Sequence, residues 1–496
     1  MGRLASFLRL LQAGLVLTPL LLAFRRRDPA AGTRLARALE RLGPAYIKLG
    51  QMLATRPDVV GAGVAEALEH LQDHLPPFAD DAARQEIARS LGHPVDTLFS
   101  FLGKPVAAAS IAQVHRAVTS QGAAVAVKVL RPGIEALFQR DLDALALFAR
   151  GAERVSAEAR RLRFVALVQT LAASVAVELD LRMEASAAAE LYERTRSDSE
   201  FRVPHVDWSR TSARVLTSEW IEGIPIRDSE GLRAAGFDPG KIAVTLVRSF
   251  LTQAMRDGFF HADLHPGNLF VDGEGRLVAV DFGIMGRLNA PMRRFLAGTL
   301  AGFLARDYER VARVHYDAAF VPPFHPIETF AQALRAIGEP IFGKSAREVS
   351  IGRLLGQLFE TTRRFDMQAQ PQLLLLQKTM VVVEGVARGL DPNFDIWEAS
   401  RPVAERWVSD NLGPEAMLRD AASGISALGK LAQDLPLLVR NVEVVSQMVA
   451  EGGMRLHPDT ARQIAGEQQR KNRPWRLAVA VLLALIAAVL LARWIF

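Results

Sequence analysis

His261-Ala262-Asp263-Leu264-His265-Pro266-Gly267-Asn268 is followed, one short segment later, by Asp281-Phe282-Gly283. Residues 269–280 between the two stretches contain two apolar runs on either side of an Asp-Gly-Glu-Gly turn sequence. Apolar runs flanking a glycine-containing turn are typical of a β-hairpin. The spacing therefore predicts that a hairpin brings the first stretch and the second stretch together.

Three polar side chains of these stretches have the types and spacing of a kinase catalytic loop followed by its metal-binding motif. We expect Asp263 to accept or orient the attacking hydroxyl, and Asn268 and Asp281 to hold Mg²⁺ on the phosphates of ATP. Magnesium prefers hard oxygen ligands and takes few carboxylates from protein. His261 is expected to support the loop. The D-F-G triplet alone is uninformative, but the pair at this spacing is a specific signal.

Upstream, Val125-Ala126-Val127-Lys128 matches the strand motif whose lysine contacts the α- and β-phosphates. The glycine-rich loop that should precede this strand is absent. Ala107-Ala108-Ala109-Ser110 stands in its place, and each added Cβ should make the loop stiffer than glycine would. The alternative for this run is an alanine-rich helix.

A carboxylate partner for Lys128 should come from a helix. Asp180 and Glu184 are four residues apart and share a helical face, whereas Glu178 points elsewhere. The alternative is an ordinary solvated face. Lys48 and Gln51 lie three apart on one side of another predicted helix, where a glycine between them permits close packing.

The bulk composition excludes several classes of function. The chain has 496 residues, 50% of them hydrophobic and 23% charged, which predicts a folded chain of one large domain or two to three smaller ones. A net charge of +6, without a basic cluster interleaved with aromatic residues, does not indicate nucleic-acid binding. The absence of cysteine excludes disulfides, thiolate metal sites and cysteine nucleophiles.

Both ends of the chain have membrane-like features. Residues 477–492 are uninterruptedly apolar, and with their flanking tryptophans the segment 474–496 could just span a bilayer core, which needs about 20 residues. Basic residues precede this segment in excess, which predicts that the bulk of the protein is cytoplasmic. The alternative is a buried core helix. Residues 8–24 are mostly apolar and three arginines follow, which favours an interfacial helix.

The coarse pattern along the chain is α+β. Helical patterns cover 33–75, with Pro44 opening one helix, and 80–91; strand patterns include 125–130 and 203–226; helices return over 135–195, over 238–258 and beyond 290. We therefore expect a protein-kinase-like bilobal fold with an N-terminal helical extension and a C-terminal transmembrane helix. The expected divisions are a membrane-interfacial segment, a helical extension, an N-lobe with a helical insertion, a C-lobe, a juxtamembrane region and a transmembrane helix, at 1–32, 33–97, 98–228, 229–410, 411–473 and 474–496.

Taken together, these motifs resemble the UbiB family of atypical kinase-like proteins, which act in ubiquinone (coenzyme Q) biosynthesis. The resemblance spans roughly residues 40–400, and the alanine loop and the K-x-G-Q helix are its most specific parts. One departure is Ala187, where the family usually has asparagine. The matching stretches are 48–51, 55–58, 107–115, 125–128, 178–185, 215–220, 261–268, 281–283, 376–379 and 384–385.

The resemblance implies roles for several residues that their spacing alone could not show. The K-x-G-Q helix is expected to fold over the active site, in the space of a protein substrate, with Lys48 contacting Glu178 and Asp180. Glu184 would be the carboxylate for Lys128. The segment ending at Glu219-Trp220 would be the hinge that contacts adenine.

The function implied is that of an ATPase, or a kinase of small or lipid-like molecules, which supports ubiquinone biosynthesis on the cytoplasmic side of the bacterial inner membrane. Its expected partners are Mg-ATP, membrane lipids, quinone precursors and other proteins of ubiquinone biosynthesis. Two alternatives remain: a phosphotransferase of the aminoglycoside or choline kinase type, and a nucleotide-gated scaffold without useful turnover. Enzymes of the aminoglycoside or choline kinase type lack the K-x-G-Q helix.

Overall fold

The first sheet is preceded by helices α1 (Ala31–Leu42), α2 (Pro44–Ala54) and α3 (Ala62–Glu69). Helix α2 begins at proline, as predicted, because the ring fixes a helical φ and its missing N–H is not needed there. The structure is a computed structural model, and it describes residues 9–13, 16, 31–54, 60, 62–69, 71, 76–340, 361, 364–367 and 370–412.

A four-stranded antiparallel sheet follows, in the order β1-β2-β3-β5. Valines at alternate positions of β3 pack with α4 into a small core, so the intervening residues, Lys128 among them, lie on the other face of the strand. The elements of this region are α4 (Asp80–Leu91), α5 (Val95–Leu98), β1 (Phe99–Ala108), β2 (Ala112–Thr119), β3 (Ala124–Leu130) and β5 (Val215–Glu219).

The helical stretch between β3 and β5 is broken into separate helices rather than running on. The helices are α6 (Ile134–Val155), α7 (Ala157–Arg161), α8 (Phe164–Glu178) and α9 (Leu181–Thr195). Helix α8 ends at Glu178, and Asp180 caps the start of α9 by accepting the backbone N–H of Arg182. The two helices meet at 73°. The expectation that Glu178, Asp180 and Glu184 sit on one helix is therefore wrong, since Glu178 and Asp180 lie at a corner.

The second half of the site is carried by short strands. The predicted hairpin is confirmed: β8 and β9 pair antiparallel inside a sheet ordered β4-β9-β8-β6, and β7 pairs with β10. The strand pattern over 203–226 is confirmed only in part, because a 3₁₀ turn (Trp208–Arg210) interrupts it. The strands are β4 (Phe201–Arg202), β6 (Gly223–Pro225), β7 (Phe259–His261), β8 (Leu269–Asp272), β9 (Leu277–Ala279) and β10 (Met285–Arg287).

Helices dominate the rest of the described chain, as expected beyond residue 290. The helix predicted over 238–258 is α-helical only to Thr252 and then widens into a π-helical turn, which Gly258 ends in a left-handed conformation. The helices are α10 (Ser229–Ala234), α11 (Pro239–Thr252), α12 (Ala290–Leu304), α13 (Tyr308–Asp317), α14 (Ile327–Gly338), α15 (Pro371–Leu390) and α16 (Ile396–Leu412).

Several expectations fall on residues that the structure does not describe. They include the C-terminal segment 474–496, the juxtamembrane region from 413 onward, and most of the N-terminal segment 1–32. Within the described ranges no single helix has the length and apolar character to cross a bilayer; α8 and α9 meet that test only as a bent pair, by length and composition.

Candidate nucleotide site

Lys128 is the centre of a charged cluster assembled from three separate parts of the chain. Its Nζ lies 2.8 and 2.9 Å from the two carboxylate oxygens of Glu184 on α9, and 3.3 Å from Oδ1 of Asp281. The Lys128 and Glu184 side chains are 18% and 10% exposed. The contacts of Lys128 thus join the middle of β3 to the first turn of α9 and to Asp281, which follows the β8–β9 hairpin.

The two carboxylates keep this lysine charged. Burial by itself would lower the pKa of Lys128, but the negative charges of Asp281 and Glu184, and their hydrogen bonds, raise it above its ordinary value. The charge of Lys128, in turn, holds the pKa of Asp281 below its usual range despite burial. The cluster therefore presents one fixed cation beside an ionised carboxylate, an arrangement suited to phosphate on one side and a metal ion on the other.

The predicted catalytic loop is held by hydrogen bonds through its histidine. The His261 ring is fully buried; its Nδ1 accepts the backbone N–H of Asp263 at 3.1 Å, and its Nε2 lies 3.2 Å from the Val280 carbonyl oxygen. Since Nδ1 is an acceptor, Nε2 carries the hydrogen and donates it to Val280. Burial lowers the pKa of His261, which favours this neutral form. One ring thus ties the loop at Asp263 to the residue before Asp281.

Asn268 and Asp281 supply oxygen donors of the kind that Mg²⁺ takes. The Asn268 amide nitrogen donates to the Asp263 carbonyl oxygen at 3.1 Å, which leaves the amide oxygen as the atom without a hydrogen bond among the described residues. Asp281 is 49% exposed and adopts a left-handed backbone with φ of 64°, a conformation that is uncommon for non-glycine residues and that aspartate tolerates better than most. One amide oxygen and one carboxylate fit a magnesium ion that takes its other ligands from phosphates and water.

The alanine stretch forms a tight β-hairpin turn instead of a helix. Ala107 and Ala108 are the last residues of β1, and the Ala109 N–H donates to the Ala112 carbonyl at 2.8 Å across the turn, with Ser110 buried inside it. The guanidinium of Arg131, which follows β3, donates to the Ala109 carbonyl at 2.9 and 3.1 Å. The helical alternative is therefore wrong, and the turn is fastened to the end of the strand that carries Lys128.

Lys48 of helix α2 reaches the corner between α8 and α9. Its Nζ lies 2.8 Å from Glu178, and both side chains are about one-fifth exposed or less. The expected second contact, with Asp180, is not formed: the Asp180 carboxylate caps α9 and pairs with the Arg182 guanidinium at 2.7 Å. The Gln51 side chain is half-buried and forms no hydrogen bond within the described part of the chain.

The expected hinge lies at the end of β5. Glu219 pairs with Val125 across the sheet, and the backbone N–H of Trp220 donates to the Ala124 carbonyl at 3.1 Å. The Glu219 carboxylate contacts the Arg202 guanidinium, and the Trp220 ring lies 5.2 Å from the Arg116 guanidinium. The backbone N–H of Glu219 is hydrogen-bonded as well, to the His205 carbonyl at 2.8 Å, and a contact with adenine at this segment stays a prediction.

Thr379 is a residue of the site for which sequence reasoning proposed no role. This residue of α15 is 1% exposed, and its hydroxyl hydrogen is shared between two carbonyl oxygens, that of Leu375 at 2.9 Å and that of Ala262, next to Asp263 in the chain, at 3.1 Å. The Ala262 N–H donates to the Ile284 carbonyl at 3.0 Å. The peptide before Asp263 is therefore held on one side by the segment after Asp281 and on the other by α15.

We expect Thr379→Val to destabilise the protein by about 1–3 kcal/mol, because valine keeps the shape but leaves the buried Ala262 carbonyl without a donor. Thr379→Ser keeps the hydroxyl and should fall much closer to the wild type. Denaturant unfolding of the three proteins measures the difference. Equal stability of the valine and serine variants would contradict a role for the hydroxyl.

Comparisons with known proteins show which family and which relatives this chain is similar to. The family model of the ABC1 atypical kinase-like domain matches residues 70–315, and that of the UbiB helical domain matches residues 334–395. A protein of Marinobacter nauticus named "Probable protein kinase UbiB" is 40% identical over 465 residues, which cover 92% of this chain and 85% of the relative. The solved complex of Rv3197 with erythromycin from Mycobacterium tuberculosis is 24% identical, covers 71% of this chain and 89% of that chain, and has a TM-score of 0.48.

The fold is thus a mixed helix-and-strand, kinase-like fold of the ABC1 atypical kinase-like type. The chain belongs to the UbiB family. Helix α15, with Thr379, lies in the part that matches the family's own helical domain.

Proposed function

We propose that this protein binds Mg-ATP at the Lys128 cluster and uses it, as an ATPase or as a kinase of a small or lipid-like molecule, in support of ubiquinone biosynthesis at the membrane. The observation that carries the proposal is the position of Lys128 between Glu184 and Asp281. The link to ubiquinone rests on the family. The name of the Marinobacter nauticus relative, a protein kinase, leaves the phosphoryl acceptor open.

Each side chain has a separate task in the proposed reaction. Lys128 binds the α- and β-phosphates, and Glu184 holds its ammonium in place. Asn268 and Asp281 would hold the magnesium ion, which supplies neutralisation of the phosphate charge when bound. Asp263, whose backbone is fixed from both sides by His261 and Asn268, orients the attacking water or hydroxyl and accepts its proton.

The position of helix α2 favours a phosphoryl acceptor that is smaller than a protein. Its Lys48 is bound to Glu178 at the end of α8, and the neighbouring helix α9 carries Glu184. Helix α2 is thus connected to Lys128 in two steps. Lys48 pairs with Glu178 at the end of α8, and Glu184 at the start of the next helix, α9, pairs with Lys128. Water or a small acceptor needs less access to the site than a folded protein substrate does.

We further propose that segment 474–496 anchors the protein in the bacterial inner membrane with its catalytic domain on the cytoplasmic side. We expect deletion of residues 474–496 to shift the protein from the membrane pellet toward the soluble fraction, because the deleted segment is the longest apolar stretch of the chain. Ultracentrifugation of cell lysates measures the distribution. If the truncated protein still sediments fully with membranes, the anchor lies elsewhere.

An in vivo comparison separates an enzyme from a nucleotide-gated scaffold. Asp281→Asn should remove nucleotide binding, whereas Asp263→Asn should leave it in place and remove turnover. Quinone production that is lost in both variants supports an enzyme. Production that survives Asp263→Asn but not Asp281→Asn means that nucleotide binding matters and hydrolysis does not.

A further inference from the structure

The C-terminal half of helix α6 and the turn after it expose apolar and basic side chains together. Leu147, Phe148 and Val155 are 42%, 55% and 77% exposed, although each is a large apolar residue. Other exposed large apolar residues of the described chain, such as Phe324 and Trp208, stand singly, which is normal for a protein surface. Leu147, Phe148 and Val155, in contrast, lie within nine residues of one helix. We name residues 147–163 the α6 patch.

The apolar and basic positions of the patch line up along the helix. Leu147, Arg150 and Arg154 are separated by three and four residues, so their side chains lie in one row along the helix. Phe148 and Val155 each follow a residue of this row in sequence and lie on the adjacent face of the helix. Arg150 and Arg154 are exposed, and neither forms an ion pair within the described part of the chain. A long aliphatic stem carries each guanidinium, which lets the charge reach outward beyond the apolar side chains.

The turn after α6 adds further positive charge at the same end. The Arg160 guanidinium donates to the Glu153 carbonyl at 2.7 Å, which folds the turn back against the last turn of α6. Arg163 starts α8 with a left-handed φ of 55° and is exposed. Residues 147–163 contain five arginines and two glutamates, a net charge of +3. One of those glutamates, Glu153, accepts the backbone N–H of Val165 and so is used inside the fold.

We propose that the α6 patch is a docking surface for an anionic lipid bilayer, separate from both the nucleotide site and the proposed C-terminal anchor. Exposed leucine, phenylalanine and valine enter the interface between headgroups and acyl chains, and the arginines contact lipid phosphates. A protein partner would ordinarily present acidic side chains in a fixed pattern. An anionic bilayer instead presents an apolar interior beneath negatively charged headgroups, and the apolar and basic side chains of the α6 patch match these two features.

Because the chain contains no cysteine, one introduced cysteine can carry a label at a single chosen position of the whole chain. A single Phe148→Cys substitution carries an environment-sensitive NBD label, and Phe324→Cys carries the matched control label. Phe324 is 71% exposed, and no lysine or arginine lies between residues 314 and 334. Each labelled protein is reconstituted, without nucleotide, in nanodiscs of phosphatidylcholine alone or of an equal mixture with phosphatidylglycerol.

We expect the label at position 148 to shift its emission to the blue and to lose quenching by aqueous iodide in the anionic nanodiscs only. The label at 324 should remain quenched in both. Arg150→Glu combined with Arg154→Glu should abolish the response at 148 while leaving the thermal unfolding midpoint unchanged, and raised salt should weaken it.

Three outcomes would overturn the proposal. The label at 148 stays open to iodide in anionic nanodiscs, or it responds equally without anionic lipid, or it is already shielded in detergent before lipid is added. The last result would mean that another copy or another segment of this chain covers the patch. None of these outcomes depends on nucleotide binding, so they leave the proposed function untouched.

Discussion

Asp281→Asn is expected to weaken Mg-ATP binding by at least about 30-fold. The substitution keeps the size of the side chain but removes the carboxylate that would hold the metal ion and that lies 3.3 Å from Lys128. Asp281 would supply the one carboxylate ligand of the metal ion, and a loss of about 2 kcal/mol is about 30-fold in affinity, since each 1.4 kcal/mol is tenfold. Isothermal titration with a non-hydrolysable ATP analogue, with and without Mg²⁺, measures the loss.

The Mg²⁺ dependence supplies the control. In the wild type, Mg²⁺ should raise the affinity for the analogue strongly, whereas in Asp281→Asn the two titrations should become similar. Asp263→Asn, which changes the same residue type in the same site, should bind as the wild type does. An Asp281→Asn protein with undiminished affinity would refute the metal assignment.

Asp263→Asn should reduce the rate of ATP turnover by about 100- to 10,000-fold, the usual contribution of a general base. The backbone of Asp263 is already fixed through His261 and Asn268, so the variant loses the basic oxygen and retains the loop. Phosphate release under saturating Mg-ATP measures the turnover. Unchanged affinity with lost turnover is the pattern of an interaction made only in the transition state.

A second aspartate shows whether the loss is specific. Asp96 is 94% exposed and, among the described residues, forms an ion pair with Arg84 alone, at 3.7 Å, so Asp96→Asn should turn over ATP at the wild-type rate. A contaminating ATPase would add the same background to both variants and would show as residual turnover in Asp263→Asn. Should Asp263→Asn retain full turnover, the attacking group is activated elsewhere.

The parts of the site that sequence predicted are those whose geometry is set locally. Asn268 and Asp281 are joined by a hairpin with its own turn signal, and alternation along β3 puts Lys128 opposite the buried valines. These relations follow from the two-residue period of strands and from turn chemistry. They need no knowledge of how distant segments pack.

The parts that sequence missed depend on tertiary packing. Thr379 lies 117 residues from Ala262 along the chain, and no local pattern indicates that a buried threonine on α15 will meet that carbonyl. The corner at Asp180 was missed for a different reason. The sequence predicts helical structure over 135–195 without a break at Asp180. An aspartate within such a pattern caps a new helix only when the helices on either side have other surfaces to pack on.

The tautomer of His261 has a consequence for acid conditions. An imidazolium has two N–H donors, so a protonated ring would set its Nδ1 hydrogen against the N–H of Asp263. The native fold holds the pKa of His261 below the value of 6.5 that it has when unfolded, so this contribution to stability is complete above pH 6.5 and is lost as the solution becomes more acidic. Acidification of the surroundings would therefore be felt as a loosening beneath the proposed general base, at a ring to which the proposed reaction gives no contact with the triphosphate.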